Sequence, residues 1–142
     1  MLDLEHFLPY RLSVLSNQVS AGIARTYAER FGLSVTEWRV IAILGRFPGI
    51  SATEVTERSA MDKVAVSRAV RRLIDQGRIR RQANAEDRRA KHLFLSDQGQ
   101  SVFDAIAPAA LAYEEELLGV LSASERRQLD ALLDRLLEAS RA

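Results

Sequence analysis

Leu4, Leu8, Leu12, Leu15, Val19, Ile23 and Tyr27 recur at steps of three or four, the spacing of one helical face. They predict a long helix from about Glu5 to Phe31, closed by Gly32, with Pro9 marking its first turn or a bend. Ser34-x-x-Glu37 is a capping box that opens a second helix. Trp38, Ile41, Leu44 and Phe47 line its inward side, and Pro48-Gly49 stops it. A second box, Ser51-x-x-Glu54, starts a short helix that ends near Arg58 or Ser59. Asp62 caps a fourth helix to about Gln76, terminated by Gly77.

Arg78 to Ala83 and Lys91 to Leu95 have strand-like composition and read as a hairpin around the charged tip Asn84 to Ala90. Ser96 or Asp97 begins a fifth helix to about Val120, which Pro108 should bend or restart. A third box, Ser122-x-x-Glu125, opens the last helix, whose apolar face is Leu129, Leu132, Leu133, Leu136 and Leu137. The expected fold is mainly α with a small β wing: a winged helix-turn-helix lobe over 36–95, flanked by helical regions 1–33 and 96–142. The three short helices of the middle cannot cover both long apolar stripes. Pairing of the end helices with those of a second, identical chain is the simplest closed solution.

The chain has 142 residues, one domain's worth, with 47% hydrophobic and 27% charged residues, which argues against global disorder. It has no cysteine, so disulfides, thiolate metal sites and thiol-based redox sensing are excluded. The acidic N-terminus and the lack of a long apolar run point to a cytoplasmic protein without a membrane span. With two histidines a metal sensor is disfavoured; no Gly-rich phosphate loop or nucleophile–base pair marks an enzyme, and no cofactor is expected.

Charge changes the picture most. A net +1 conceals a window from Arg58 to Lys91 with eleven basic and four acidic residues, +7, in a remainder of −6. Concentrated positive charge suits a polyanion, because each neutralised phosphate releases condensed counterions. On the fourth helix Val66, Val70 and Leu73 share one face, while Val64, Arg68, Arg71, Arg72 and Asp75 lie opposite, flanked by Ala65 and Ser67. Small residues permit close approach to a groove; Arg68 can present a fork to guanine O6 and N7, and Arg71 and Arg72 can reach phosphates or bases. At the hairpin tip, Arg88 and Arg89 can enter a narrow minor groove, with Asp87 aiming the second guanidinium.

The sequence resembles the MarR family of winged-helix regulators over essentially its whole length. The resemblance rests on Trp38-Arg-Val-Ile-Ala-Ile-Leu44, Met61-Asp-Lys-Val-Ala-Val-Ser-Arg-Ala-Val-Arg-Arg-Leu73, Gly77-Arg-Ile-Arg-Arg81, Asp87-Arg-Arg89 and Leu95-Ser-Asp-Gln-Gly99. It implies a homodimer on a pseudo-palindromic double-stranded operator, usually a repressor released by a small molecule. By the same resemblance Ser67, Arg68 and Arg71 are groove contacts, Arg89 the wing arginine and Asp87 its orienter. Ser51 can donate to a phosphate, and Lys63 joins the set from nearer the buried edge of its helix. The family's frequent aromatic-acid ligands imply a cleft that His6, Tyr10, Arg11, Trp38 and Arg39 can line, with Arg11 or Arg39 pairing with the carboxylate and Trp38 as an apolar wall. Trp38, on a core-facing stripe after a capping box, reads more readily as plain core. A competing function is a protein–protein module whose basic winged-helix face takes an acidic partner.

Overall fold

The computed structural model describes residues 1–83 and 91–142. The chain divides into two units, residues 1–109 and 110–142.

The expected long first helix is interrupted. A 3-10 turn at Leu4–His6 precedes α1 (Leu8–Ala24), and a separate short α2 (Ala28–Phe31) follows. Pro9 lies in the first turn of α1, where its missing N–H costs nothing. The break near Tyr27 comes from packing: Tyr27 takes a non-helical φ of −130° and buries its ring to 1% exposure. It lies against Trp38 at a centroid distance of 5.8 Å. Thr26 donates its hydroxyl to the Ile23 carbonyl at 2.7 Å, satisfying an acceptor at the frayed end. Gly32, at φ +64°, closes α2 in the left-handed region.

Next come α3 (Val35–Arg46), α4 (Ala52–Ser59) and α5 (Lys63–Asp75). Ser34 and Glu37 form the full reciprocal capping box at α3. At α4 only half of the expected box is present: Ser51 Oγ accepts the Glu54 amide at 3.2 Å, but Glu54 does not return to the Ser51 amide. Asp62 caps α5 by accepting from the Ala65 amide at 3.0 Å. The turn between α4 and α5 passes through Ala60 at φ +54°, the one left-handed non-glycine among the described residues.

The wing strands are β1 (Ile79–Ala83) and β2 (Lys91–Leu95), antiparallel, with Ile79 opposite Leu95 and Ala83 opposite Lys91. Ile50 adds an isolated bridge to Leu93, tying the α3–α4 connection to the wing. Arg78, expected in the first strand, lies just before it. The helix α6 (Asp97–Leu118) does not restart at Pro108. The core comprises Tyr27, Leu33, Val40, Ile41, Leu44, Val55, Val66, Ala69, Val70, Leu73, Ile79, Leu93, Val102 and Ile106, all in the first unit. Close approach demands glycine twice in α3 and α6: a Cβ on Gly99 would sit 2.0 Å from the Arg78 carbonyl oxygen, and one on Gly45 2.6 Å from the Phe103 ring.

In the second unit, Ser122 and Glu125 complete a capping box for α7 (Ala123–Ser140). The Ser122 amide holds the Glu125 carboxyl below its ordinary pKa, with a smaller contribution from the serine hydroxyl. Arg126 donates to the Leu118 carbonyl at 3.1 Å and to Glu115 at 2.8 Å. Both units carry an uncovered apolar stripe. Leu4, Leu8, Leu12 and Leu15 are exposed in the first, and Leu129, Leu132, Leu133, Leu136 and Leu137 in the second. Among the described residues no helix is long and apolar enough to cross a membrane.

Candidate nucleic-acid interface

The amphipathic face expected for α5 is present. Val66, Ala69, Val70 and Leu73 are buried against the core, whereas Val64, Ser67, Arg68, Arg71, Arg72 and Asp75 are exposed and Ala65 is half-buried. Lys63 departs from the expectation: it is exposed, because the first helical residue projects beyond the body that covers the later turns. Of the exposed large apolar side chains in the described residues, Val64 alone lies in the winged-helix lobe, at 56% exposure.

Two concavities flank α5. One, about 310 Å³, is bordered by Ala52 of α4, Ser67, Arg68, Val70 and Arg71 of α5, and Arg81 of β1, with no acid among them. The other, about 460 Å³, lies between the start of α3 and α5, where Glu37 and Asp75 accompany Arg68, Arg71 and Arg72. Among the described residues, the first side therefore carries cations alone, and the second mixes three cations with two acids. Arg81 and Ala52 escaped the sequence reading as site residues. For Arg81 the available signal was its place in the Arg80-Arg81 pair, in a strand whose residues after Ile79 are all exposed.

Not every cation of the basic window faces outward. Arg78 is half-buried; its Nη2 donates to the Phe31 carbonyl at 2.9 Å and its Nη1 to Gln76 at 3.2 Å. Arg58 and Arg80 are exposed but rest on rings, Arg58 over Phe47 at 3.9 Å and Arg80 over Phe94 at 4.5 Å. Ser51 caps α4, and its hydroxyl sits 3.5 Å from Glu54 Oε1. Asp87, Arg88 and Arg89 lie outside the described residues.

The five candidate ligand residues are only partly brought together. Trp38 and Arg39 border a cleft of about 150 Å³ with Ser20, Ile23, Tyr27, Val35 and Ala42. Trp38 is half-buried between Tyr27 and Phe103, the latter at a centroid distance of 6.1 Å. Arg39 also borders a neighbouring hollow of about 430 Å³ with Ser16, Asn17, Ala60 and Met61. Its Nη1 donates to the Ser59 carbonyl at 3.1 Å, while Ser59 Oγ donates to Thr56 and accepts from Met61, so the cleft touches the α4–α5 turn. Burial raises the Tyr27 phenol above its ordinary pKa, and the nearby Arg39 charge partly opposes this. His6, Tyr10 and Arg11 line neither hollow; all three are exposed, and His6 pairs with Asp3 at 2.7 Å. Ser20 and Tyr27 belong to the cleft but carried no polar motif in the sequence.

The MarR family model matches residues 31–90. A MarR/EmrR family transcriptional regulator from Acinetobacter sp. ADP1 superposes with a TM-score of 0.89 at 26% identity, over 99% of each chain. The transcriptional regulator HosA of Escherichia coli O127:H6 is 27% identical over 114 residues, 80% of this chain and 84% of its own length. The HTH-type transcriptional repressor Mb2911 of Mycobacterium bovis is 25% identical over 131 residues, 92% of this chain and 91% of its own. Residues 31–90 match the MarR family model, and the chain shares its architecture with MarR-family winged-helix transcriptional regulators.

Proposed function

We propose that the chain is a homodimeric repressor that binds a pseudo-palindromic double-stranded operator and is released by a small aromatic carboxylate. The observation that carries the DNA reading is the exposed face of α5, with Arg68 and Arg71 bordering an acid-free hollow closed by Arg81. In this reading Lys63, Val64, Ala65, Ser67, Arg68 and Arg71 enter or border the major groove, and Ser51 donates to a phosphate at the start of α4. Arg88 and Arg89 are assigned to the minor groove, with Asp87 as orienter. Residues 36–95 serve as the reading lobe, and 1–33 and 96–142 as dimerisation regions. The exposed leucines of α1 and α7 support pairing, since apolar stripes of that length are seldom left in water. Two reading helices about 34–36 Å apart meet successive major grooves. Such a protein acts where the DNA is, in the cytoplasm.

For the effector, Arg39 is assigned to the carboxylate and Trp38 to the ring. Occupying the cleft would draw Arg39 from Ser59 and so disturb the turn leading into α5. His6, Tyr10 and Arg11 reach this ligand only if the dimer brings them to it.

The test is selection of duplexes from a randomised pool by the full-length protein, followed by anisotropy titration against a scrambled duplex. Enrichment of an inverted repeat, bound far more tightly than the scrambled sequence, is expected. Equal, purely salt-sensitive affinity for both duplexes would overturn operator recognition and favour an acidic protein partner. A calorimetric screen of aromatic carboxylates, repeated on Arg39→Ala, tests the effector separately.

A further inference from the structure

Arg72 differs from the other arginines of α5. Its Nη1 lies 3.7 Å from Oε1 of Glu37 on α3, a carboxylate whose side chain is only 3% exposed. That same Oε1 accepts the Ser34 amide at 3.1 Å, while Oε2 is buried without a hydrogen-bond partner among the described residues. A carboxylate so placed strongly prefers a cation beside it, because desolvation penalises its charge and no second donor offsets the cost. Arg72 borders only the hollow between α3 and α5 that holds Glu37 and Asp75, whereas Arg68 and Arg71 border both hollows.

The buried face of α5 is built from Val66, Ala69, Val70 and Leu73, apolar contacts that resist separation more than rotation. Rotation matters at the groove. At the roughly 6 Å outer radius of a helix, a turn of about 10° moves a side-chain tip by about 1 Å. A displacement of about 1 Å is enough to spoil a positioned site.

We propose that Arg72 is a positioning residue: paired with Glu37, it sets the rotation of α5 against α3, and thereby where Ser67 and Arg68 point, without itself neutralising a phosphate. This rests on the DNA-binding reading above and moves Arg72 from the contact set to the support behind it.

The experiment uses full-length wild type, Arg72→Ala, Arg72→Lys, Glu37→Gln and the Arg72→Ala/Glu37→Gln double variant. Each is titrated over a range of salt against the duplex selected by wild type and a scrambled duplex of the same length. Arg72→Ala is expected to lose about tenfold in affinity for the selected duplex, the scale of one displaced base contact. Its affinity for scrambled DNA and its salt slope should match wild type. Glu37→Gln, which keeps the capping geometry, should show the same selective loss; Arg72→Lys should recover part of it, and the double variant should lose no more than the worse single. A uniform loss on both duplexes, with a slope smaller by about 0.9 per subunit, makes Arg72 a phosphate contact and overturns the proposal. Unchanged specificity in Glu37→Gln also overturns it, even where Arg72→Ala fails to fold. If wild type itself selects no sequence, the DNA reading fails instead.

Discussion

Replacing Arg78 by alanine separates cations that face DNA from cations that hold the fold. Arg78 belongs to the +7 window and sits beside the exposed Arg80 and Arg81, so charge alone counts it with the DNA surface. Its guanidinium instead turns inward, donating at 2.9 Å to the carbonyl of Phe31, the last residue of α2, and at 3.2 Å to Gln76. A hydrogen bond from a charged donor is worth about 1.5–3 kcal/mol. The helix C-terminus adds a few tenths, because its unpaired carbonyls carry partial negative charge. Truncation also removes a half-buried stem, so a loss of about 2–3 kcal/mol is expected. For a chain of this size that lowers the melting temperature by roughly 5–10 °C. The assay is thermal unfolding by circular dichroism at one fixed protein concentration, because the stability of the proposed dimer depends on concentration. It is paired with the salt dependence of DNA binding below the transition. An unchanged melting temperature, or a salt slope reduced by about 0.9 per subunit, would refute the inward assignment.

Arg68→Ala is expected to weaken operator binding by about 1–3 kcal/mol per contact and relax base preference, measured by titration against single-base variants of the selected duplex. Gly99→Ala should cost more than about 3 kcal/mol or prevent folding, since backbone stands 2.0 Å from the added Cβ; near-wild-type urea unfolding would contradict that packing. Leu136→Glu, at a 47%-exposed position on the apolar stripe of α7, should shift the proposed dimer to monomer in light scattering while leaving far-ultraviolet dichroism intact. The raised Tyr27 pKa means that the folded state favours the neutral phenol. The stability it contributes is full below the ordinary tyrosine value near 10 and is lost as pH rises through the raised folded value. Tyr27→Phe should therefore unfold less steeply with alkali than wild type, read from melting temperature against pH.

Helix boundaries were legible in the chain because their signals are local. A capping serine or aspartate, a glutamate three residues on and a terminating glycine act within one turn, and Ser34, Asp62, Ser122 and Gly32 do what their spacing implies. The polar face of α5 was legible for the same reason, since the helical period alone assigns Val66 and Leu73 to one side and Arg68 and Arg71 to the other. The five candidate ligand residues are brought together only in part. Trp38 and Arg39 share a cleft, but Ser20 and Tyr27 join them from a different helical segment, and His6, Tyr10 and Arg11 stand elsewhere.

Sequence alone determined the order of helices and wing strands from α3 onward, the amphipathic basic face of α5 and the two apolar stripes, because each follows from local signals in one segment. Tertiary structure decided the break in the first helix at Tyr27, the inward turn of Arg78 and the pairing of Arg72 with buried Glu37. Each of those depends on a group outside its own element, as Tyr27 packs on Trp38 of α3 and Phe31 is 47 positions from Arg78. Burial and partnering set what a charge or a ring does, and neither exists until distant segments meet.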